Sequence, residues 1–228
     1  MTSPRDPFET IRSRIIPLPA ENVDTDQVVP ARFLKMTDRW GLSEALFADW
    51  RFTDDGDAKP DFVLNRREMQ GRKILLAGDN FGAGSSREHA PWALVAWGIR
   101  VILSTSFADI FRTNSLKNGL LPIAVTPERH RQLFEMFAEN PDVELTVDLE
   151  SQKVYLPGDE DLDFEIDPFV KLMILAGTDE LGYLLTKEPG ISAWEAAHPP
   201  RIDTRIGTAS AAGAAGAAGA ASGQRDSA

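Results

Sequence analysis

Short apolar runs alternate with segments of helical spacing through the middle of the chain. Residues 73–77, 100–103 and 120–125 are rich in Ile, Leu and Val, which is typical of buried strands. Between them, residues 85–97 and 107–117 have the apolar spacing of helices. The pattern predicts two overlapping strand–helix–strand units, and with them a compact α/β or α+β domain.

The flanking segments give a more mixed pattern. The apolar residues Ile15, Ile16, Leu18, Val28 and Val29 predict two short strands on either side of residues 22–27. The stretch that follows, up to residue 70, is expected to hold short helix and irregular structure. The C-terminal part predicts helices over 126–139, 168–175 and 180–185, and strands over 143–149, 154–156 and 164–166.

The end of the chain is of low complexity. Residues 208–223 repeat Ala and Gly and contain no large apolar side chain. Such a segment buries too little apolar surface to offset the entropy lost on ordering. We therefore expect one domain over residues 1–205 and a disordered tail over 206–228.

Composition and charge exclude several classes of function. The 35 acidic residues outnumber the 24 Lys and Arg residues, and the net charge of −11 argues against nucleic acid as a partner. No cysteine is present, which excludes disulfide bonds and an iron–sulfur cluster held by this chain's own thiolates. A polar N-terminus and the lack of apolar stretches of about 18 residues argue against a signal peptide and a membrane span. We expect a cytoplasmic protein.

A glycine-rich loop between a predicted strand and a predicted helix has the most informative chemistry. The loop and the start of the helix read Asn80-Phe81-Gly82-Ala83-Gly84-Ser85-Ser86-Arg87-Glu88-His89-Ala90. Glycines let the backbone approach a ligand closely, and the N–H groups at a helix start favour anions. Arg87 adds a donor that matches a carboxylate. The loop therefore predicts an anion site.

The two adjacent serines have two interpretations. Ser85 and Ser86 can cap the helix, and spacing alone favours that role. Alternatively, N–H donors and the Arg87 guanidinium stabilise a serine alkoxide, which makes a serine a usable base. The loop lacks the full dinucleotide-binding pattern because position 87 is Arg, and it lacks the Gly-Lys-Ser/Thr of a P-loop.

Taken whole, residues 80–94 resemble the signature of the isopropylmalate dehydratase small-subunit family. This family is the separate-chain relative of the swivel domain of aconitase. The resemblance continues through residues 22–30, 47–52 and 106–111 and covers about residues 10–200. It implies an α/β fold, an aconitase-like swivelling β/β/α domain with a mixed sheet and flanking helices.

The resemblance also implies an activity, a cofactor and a partner. The family isomerises 2-isopropylmalate to 3-isopropylmalate in leucine biosynthesis, by dehydration to isopropylmaleate and rehydration. A [4Fe–4S] cluster is expected on a large subunit, with which this chain would form an active heterodimer. The lack of cysteine in this chain agrees with that division of labour.

Site residues are carried over position by position. Ser85 matches the catalytic base, and Asp26 matches an active-site aspartate, although an Asx-turn or a helix cap also explains an aspartate there. Ser86 and Arg87 match residues that bind substrate oxygens. The segment that distinguishes substrates in the family falls on residues 31–36, and Phe33, Leu34 and Lys35 are its expected substrate-binding residues.

The substrate-distinguishing segment leaves the substrate open. Phe33 and Leu34 suit an isopropyl group, whereas Lys35 suits a third carboxylate. The alternatives are therefore a related hydro-lyase of the homoaconitate or the citraconate/methylmalate type. Outside that class, the alternatives are a non-catalytic binding module with the swivel fold and a nucleotide-binding regulator that uses the glycine loop.

Overall fold

The computed structural model describes residues 7–36, 38, 41–84, 87–158 and 160–198. Ser85, Ser86 and the predicted tail at 206–228 lie outside these residues, so the predicted boundary after residue 205 stays a prediction. The chain divides into two compact units, the first ending at Tyr183 and the second beginning at Leu184. No helix within the described ranges is long and apolar enough to cross a membrane.

One mixed sheet organises the first unit. In the part of the chain that the structure describes, its seven strands lie in the order β4-β3-β2-β1-β5-β6-β7. The strands are β1 (Ile11–Leu18), β2 (Ile74–Ala77), β3 (Val101–Ser104), β4 (Leu121–Ala124), β5 (Glu144–Asp148), β6 (Lys153–Tyr155) and β7 (Asp161–Asp163). Strands β1 to β4 are parallel, and β5 to β7 continue the sheet antiparallel from β1. The prediction of an α/β fold with a mixed sheet is confirmed.

The described residues form seven α-helices. They are α1 (Thr25–Val28), α2 (Ala48–Arg51), α3 (His89–Trp97), α4 (Asp109–Lys117), α5 (Pro127–Glu139), α6 (Pro168–Ala176) and α7 (Glu180–Ala197). Four short 3-10 helices lie between α1 and β2 where the structure describes that stretch, at Ala31–Phe33, Gly41–Ser43, Val63–Asn65 and Arg67–Met69. Helices α3 and α4 are the crossovers between parallel strands, as the strand–helix–strand pattern predicts.

The sheet separates two apolar layers, because alternate residues of a strand point to opposite faces. Ile16 of β1 and Leu75 of β2 face one layer, which also contains residues of α3 and Phe111 of α4. Ile15 and the other face of the sheet pack against the second layer, which contains residues of α5 and α6. Both faces of the parallel strands are therefore covered, which explains their continuous apolar sequences.

Two predicted strands are wrong, and one predicted helix is longer than expected. The second predicted strand, at Val28 and Val29, is the end of helix α1, because Asp24 caps a helical turn there. The last predicted strand, at 164–166, lies instead at Asp161–Asp163, where Leu162 pairs with Val154. The final predicted helix, at 180–185, continues as α7 to Ala197.

The helix after the glycine loop also starts later than predicted. Helix α3 begins at His89, with Glu88 as its N-cap residue, rather than at the serines. The backbone of Gly82 and Ala83 bonds to Val23 and Thr25, which keeps that stretch out of the helix. The N-cap residue is thus Glu88, which makes no side-chain cap bond. The serines lie outside the described residues, so the interpretation that they cap this helix stays a prediction.

Candidate functional site

The loops that follow β1, β2 and β3 meet at one edge of the sheet. The carboxyl ends of parallel strands lie on the same side, so their loops are neighbours. The loop after β2 bonds to the loop after β1 through Asn22 N–H, which donates to the Asp79 carbonyl at 2.8 Å. It bonds to the loop after β3 through Phe81 N–H, which donates to the Ser106 carbonyl at 3.1 Å. The glycine-rich loop lies between two neighbouring loops.

The glycine-rich loop is also fastened to the start of α1. The Gly82 and Ala83 N–H groups both donate to the Val23 carbonyl, at 2.8 and 3.0 Å. The Thr25 N–H in turn donates to the Ala83 carbonyl at 2.8 Å. Two segments almost 60 residues apart in sequence are thus held in one register, which brings the Asp26 region next to the Arg87 region.

At two glycines of the loop, the backbone conformation and the neighbouring atoms leave no room for a side chain. Gly82 has a φ of +82°, and a Cβ there would lie 2.2 Å from the Phe111 ring. Gly84 has a φ of +92°, and a Cβ there would lie 2.3 Å from the Asp24 carboxylate. Positive φ and close approach together explain why the sequence has glycine at both positions.

Helix α1 is a single turn that a capping box holds at its start. The Asp24 carboxylate accepts from the Asp26 N–H at 2.7 Å, and the Gln27 side chain accepts from the Asp24 N–H at 2.8 Å. Such reciprocal bonds satisfy backbone donors that a helix start leaves without partners. The cap is therefore Asp24, and the interpretation of Asp26 as the cap of this helix is wrong.

Asp26 instead meets Arg87. The Arg87 Nη1 group donates to Asp26 Oδ1 in a close ion pair. The side chain of Arg87 is 20% exposed and that of Asp26 is 49% exposed, so the pair is open to solvent mainly at the carboxylate. An ion pair of this kind fixes the direction of the guanidinium. The structure thus brings together two residues that sequence analysis assigned to the site.

The serines between these groups lie outside the described residues, and their role stays a prediction. Gly84 precedes them and Arg87 follows them directly in the chain. Both flanking residues lie next to the start of α1, since Gly84 lies against Asp24 and Arg87 pairs with Asp26.

The predicted substrate-distinguishing segment follows α1. Phe33 ends the 3-10 helix Ala31–Phe33 and packs, half-buried, against the apolar layer. Leu34 is half-buried and Lys35 is exposed. Arg32 lies over the Phe33 ring at 4.7 Å and pairs with Asp49 at 2.6 Å. Part of Phe33 therefore serves the core, and the role of the segment stays a prediction.

Sequence analysis missed one polar cluster at this edge. Asp79 accepts hydrogen bonds from the hydroxyls of Thr105 and Ser106, which lie after β3. The bond from Thr105, followed by that from Ser106, lowers the pKa of the Asp79 carboxyl below its ordinary range. The only sequence signal is an acid after one predicted strand and two hydroxyls after the next.

The chemistry available here is anion binding. A guanidinium held by one carboxylate, beside a loop with glycine-shaped backbone, suits a substrate carboxylate. Among the residues that the structure describes, no group of three or more His, Asp or Glu side chains is arranged to hold a metal ion.

Comparisons with known proteins agree with the motifs. A family profile described as "Aconitase C-terminal domain" matches residues 6–128, and one described as "LeuD_N" matches residues 131–168. The chain is 54% identical over 198 residues to the 3-isopropylmalate dehydratase small subunit of Roseiflexus castenholzii, covering 87% of this chain and 97% of that one. It is 54% identical over 190 residues to that of Anaeromyxobacter dehalogenans, covering 83% and 97%.

A solved structure gives the same result for the fold. The crystal structure of 3-isopropylmalate dehydratase from Methanocaldococcus jannaschii superposes with a TM-score of 0.59 at 26% identity, covering 82% of this chain and 99% of that chain. The resemblance predicted from the motifs is confirmed over most of the chain, together with the predicted fold class.

Proposed function

This chain belongs to the family of 3-isopropylmalate dehydratase small subunits, hydro-lyases of leucine biosynthesis, and from that premise we propose how its residues act. The reaction removes water from 2-isopropylmalate and returns it at the neighbouring carbon, which gives 3-isopropylmalate. Ser85 is the catalytic base, Ser86 and Arg87 bind substrate oxygens, and Asp26 orients Arg87. The observation that carries this proposal is the Asp26–Arg87 ion pair at the end of the glycine-rich loop.

A large subunit is the proposed partner. The relatives are named as small subunits, and this chain has no cysteine with which to hold an iron–sulfur cluster. We therefore assign a [4Fe–4S] cluster to the large subunit of a heterodimer. When bound, such a cluster supplies a Lewis acid for the hydroxyl and a carboxylate of the substrate.

The residues of this chain supply binding and proton transfer. Arg87 presents a planar guanidinium that matches one substrate carboxylate with two parallel hydrogen bonds. That contact places the carbon next to the carboxylate close to Ser85. The Ser85 alkoxide takes the proton from this carbon as the hydroxyl leaves the neighbouring carbon. When water adds again, the hydroxyl bonds to the first carbon and the Ser85 hydroxyl delivers a proton to the neighbouring one. Nearby N–H donors and the guanidinium lower the cost of the alkoxide.

The segment after α1 is proposed to read the substrate side chain. Phe33 and Leu34 are half-buried and apolar, which suits an isopropyl group. Lys35 is exposed and would accept a third carboxylate, as in a homoaconitate-type substrate. We assign the isopropyl side chain because the relatives are named for isopropylmalate.

The test is reconstitution with and without the proposed base. The purified chain is mixed with an anaerobically reconstituted, cluster-bearing large subunit, and isopropylmaleate is followed by ultraviolet absorbance after addition of 3-isopropylmalate. Ser85→Ala should lower kcat by roughly 10²- to 10⁴-fold, the range for loss of a general base. Ser151→Ala is the matched control, because that hydroxyl bonds to Asp148 in the turn between β5 and β6.

Each outcome separates the alternatives. Near-normal turnover by Ser85→Ala would rule out the base assignment. A stable but inactive wild-type complex would redirect the search to other substituted malates. Failure to form a complex would favour a non-catalytic binding module.

A further inference from the structure

One carboxylate fastens the loop after β3 to the glycine-rich loop. Asp79 Oδ1 accepts from the Thr105 hydroxyl and from the Ser106 hydroxyl, the latter at 2.8 Å. The Ser106 oxygen also accepts from the Asn80 N–H at 3.1 Å. Because a hydroxyl has a single hydrogen, the donation to Asp79 leaves the Ser106 oxygen to accept from Asn80. We call these four residues the Asp79 clasp.

The Asp79 clasp also reaches the loop after β1. The Asn22 N–H donates to the Asp79 carbonyl at 2.8 Å, and the Asn80 side chain donates to the Asn22 side chain at 2.9 Å. Asn22 and Asn80 both have a φ of 53°. This left-handed conformation favours glycine, but asparagine tolerates it better than most other residues. The hydrogen bonds of the clasp therefore stabilise a left-handed backbone conformation at Asn22 and Asn80.

Apolar packing alone does not fix the direction in which the loop continues. Phe81 is fully buried and meets the Phe111 ring edge-on at 5.3 Å, so it anchors the loop to the core. Such packing is not directional, whereas hydrogen bonds fix donor and acceptor orientation. The bonds at Asp79 and Asn80 fix the start of the loop, and the backbone bonds from Gly82 and Ala83 to Val23 fix the stretch that follows.

The charge of Asp79 suits this role. An aspartate is ionised at neutral pH, and hydrogen bonds from Thr105 first and Ser106 second lower the pKa of its carboxyl further. An ionised carboxylate only accepts, and its hydrogen bonds are roughly twice as strong as those of a neutral acceptor. Both hydroxyls must then point their hydrogens at Asp79.

We infer that Asp79 is a positioning residue, which holds the glycine-rich loop so that Ser85 and Arg87 meet the substrate in the geometry that proton transfer needs. The inference rests on the proposed function, because Ser85 and Arg87 are the groups to be positioned. Proton transfer depends on close alignment, whereas an ion pair with a carboxylate tolerates small displacements. A loosened clasp should therefore act on kcat more than on KM.

The test uses the reconstituted two-subunit enzyme and a graded series of variants. Asp79→Ala removes the acceptor and should lower kcat about tenfold, with KM changed less than about threefold, in line with the sensitivity of catalysis to small misplacements. Asp79→Asn keeps an acceptor of the same shape and should recover most of kcat. It also retains the fold if Asp79→Ala does not.

A double variant tests whether the clasp is one unit. Ser106→Ala removes the same bond from the other side, so Asp79→Ala/Ser106→Ala should lose no more kcat than the larger of the two single losses. The matched control is Asp148→Ala. Asp148 lies at the far end of β1 from Asp79, and it accepts from the Ser151 hydroxyl at 2.7 Å and from the backbone N–H groups of Glu150 and Ser151. This control should keep the wild-type kcat.

The results distinguish a failure of the inference from a failure of the proposed function. An active wild-type complex in which Asp79→Ala keeps the kcat of Asp148→Ala overturns the inference and leaves the proposed function standing. Additive losses in the double variant, or a loss in KM alone, also overturn the inference. An inactive wild-type complex overturns the proposed function and the inference with it.

Discussion

At the scale of single residues, the ion pair between Asp26 and Arg87 joins two segments that are 61 residues apart in the chain. The position of each side chain is explained by its ion pair with the other. Arg87 is four-fifths buried on its side chain, and a guanidinium in that setting needs a partner that satisfies its charge. Asp26 supplies the partner and leaves about half of its own side chain open to solvent.

Asp26→Asn should weaken substrate capture and turnover together. The amide keeps the shape of the carboxylate but removes the charge that directs Arg87, so we expect kcat/KM to fall about tenfold or more, since loss of one orienting contact has consequences of this order. Steady-state kinetics of the reconstituted enzyme measure this change. Glu144→Gln breaks the exposed Arg12–Glu144 pair, 2.8 Å long, and should leave kcat/KM unchanged. A similar loss in both variants would contradict a specific role for Asp26.

At the scale of elements, helix α1 shows where a residue pattern misleads. Val28 and Val29 are β-branched and predict a strand, yet Val28 closes a helical turn. The deciding signal is the capping box of Asp24 and Gln27, three residues apart, which outweighs strand propensity over so short a segment. Helices α3 and α4 were predictable because their apolar spacing extends over two or more turns.

Asp24→Ala should separate the stability of α1 from its function. Loss of an N-cap bond lowers the free energy of unfolding by about 1 kcal/mol. It should also loosen Asp26 and lower kcat/KM severalfold. Asp167→Ala is the matched control, since Asp167 caps α6 by accepting from the Phe169 and Val170 N–H groups. Urea unfolding should give similar losses for both variants, and kinetics should show a loss only for Asp24→Ala. Equal activity of the two would contradict a link between the cap and the site.

At the scale of the whole molecule, the parallel half of the sheet could be predicted and the strand order could not. The buried runs of β2, β3 and β4 are continuous apolar sequences that stand out in any window. The central place of β1 depends on pairing Ile15 with Ile74 and Ile11 with Val147, contacts that no local pattern encodes. The candidate site shows the same division between local sequence patterns, which could be predicted, and long-range contacts, which could not.

The glycine-rich loop with Arg87 is a local motif, and sequence analysis found it. The Asp79 clasp exists only because β3 lies beside β2, so that Thr105 and Ser106 reach Asp79 across two loops. A cluster of this kind needs the sheet order before it becomes visible. Long-range pairing is therefore what separated the predicted part of the site from the missed part.

The two ends of the sheet should respond independently to acid. Asp79 and Asp148 lie at opposite ends of β1, and hydroxyl hydrogen bonds, from Thr105 and from Ser151 respectively, are the largest cause that lowers each carboxyl pKa. A carboxyl with a lowered folded-state pKa stabilises the fold at pH values above the ordinary aspartate pKa of about 3.9. That stabilisation is lost as the pH falls from there through the folded-state pKa.

The free energy of unfolding should therefore decrease from pH 5 towards pH 3, and Asp79→Asn and Asp148→Asn should each flatten that decrease. Because the two sites share no partner, their effects should add in the double variant. Urea unfolding of the isolated chain at a series of pH values measures all four slopes. A wild-type slope retained by both single variants would contradict the assignment of these two carboxylates as acid-sensitive supports of the sheet. If the double variant flattened the decrease by more than the sum of the two single effects, the two halves of the sheet would instead be coupled.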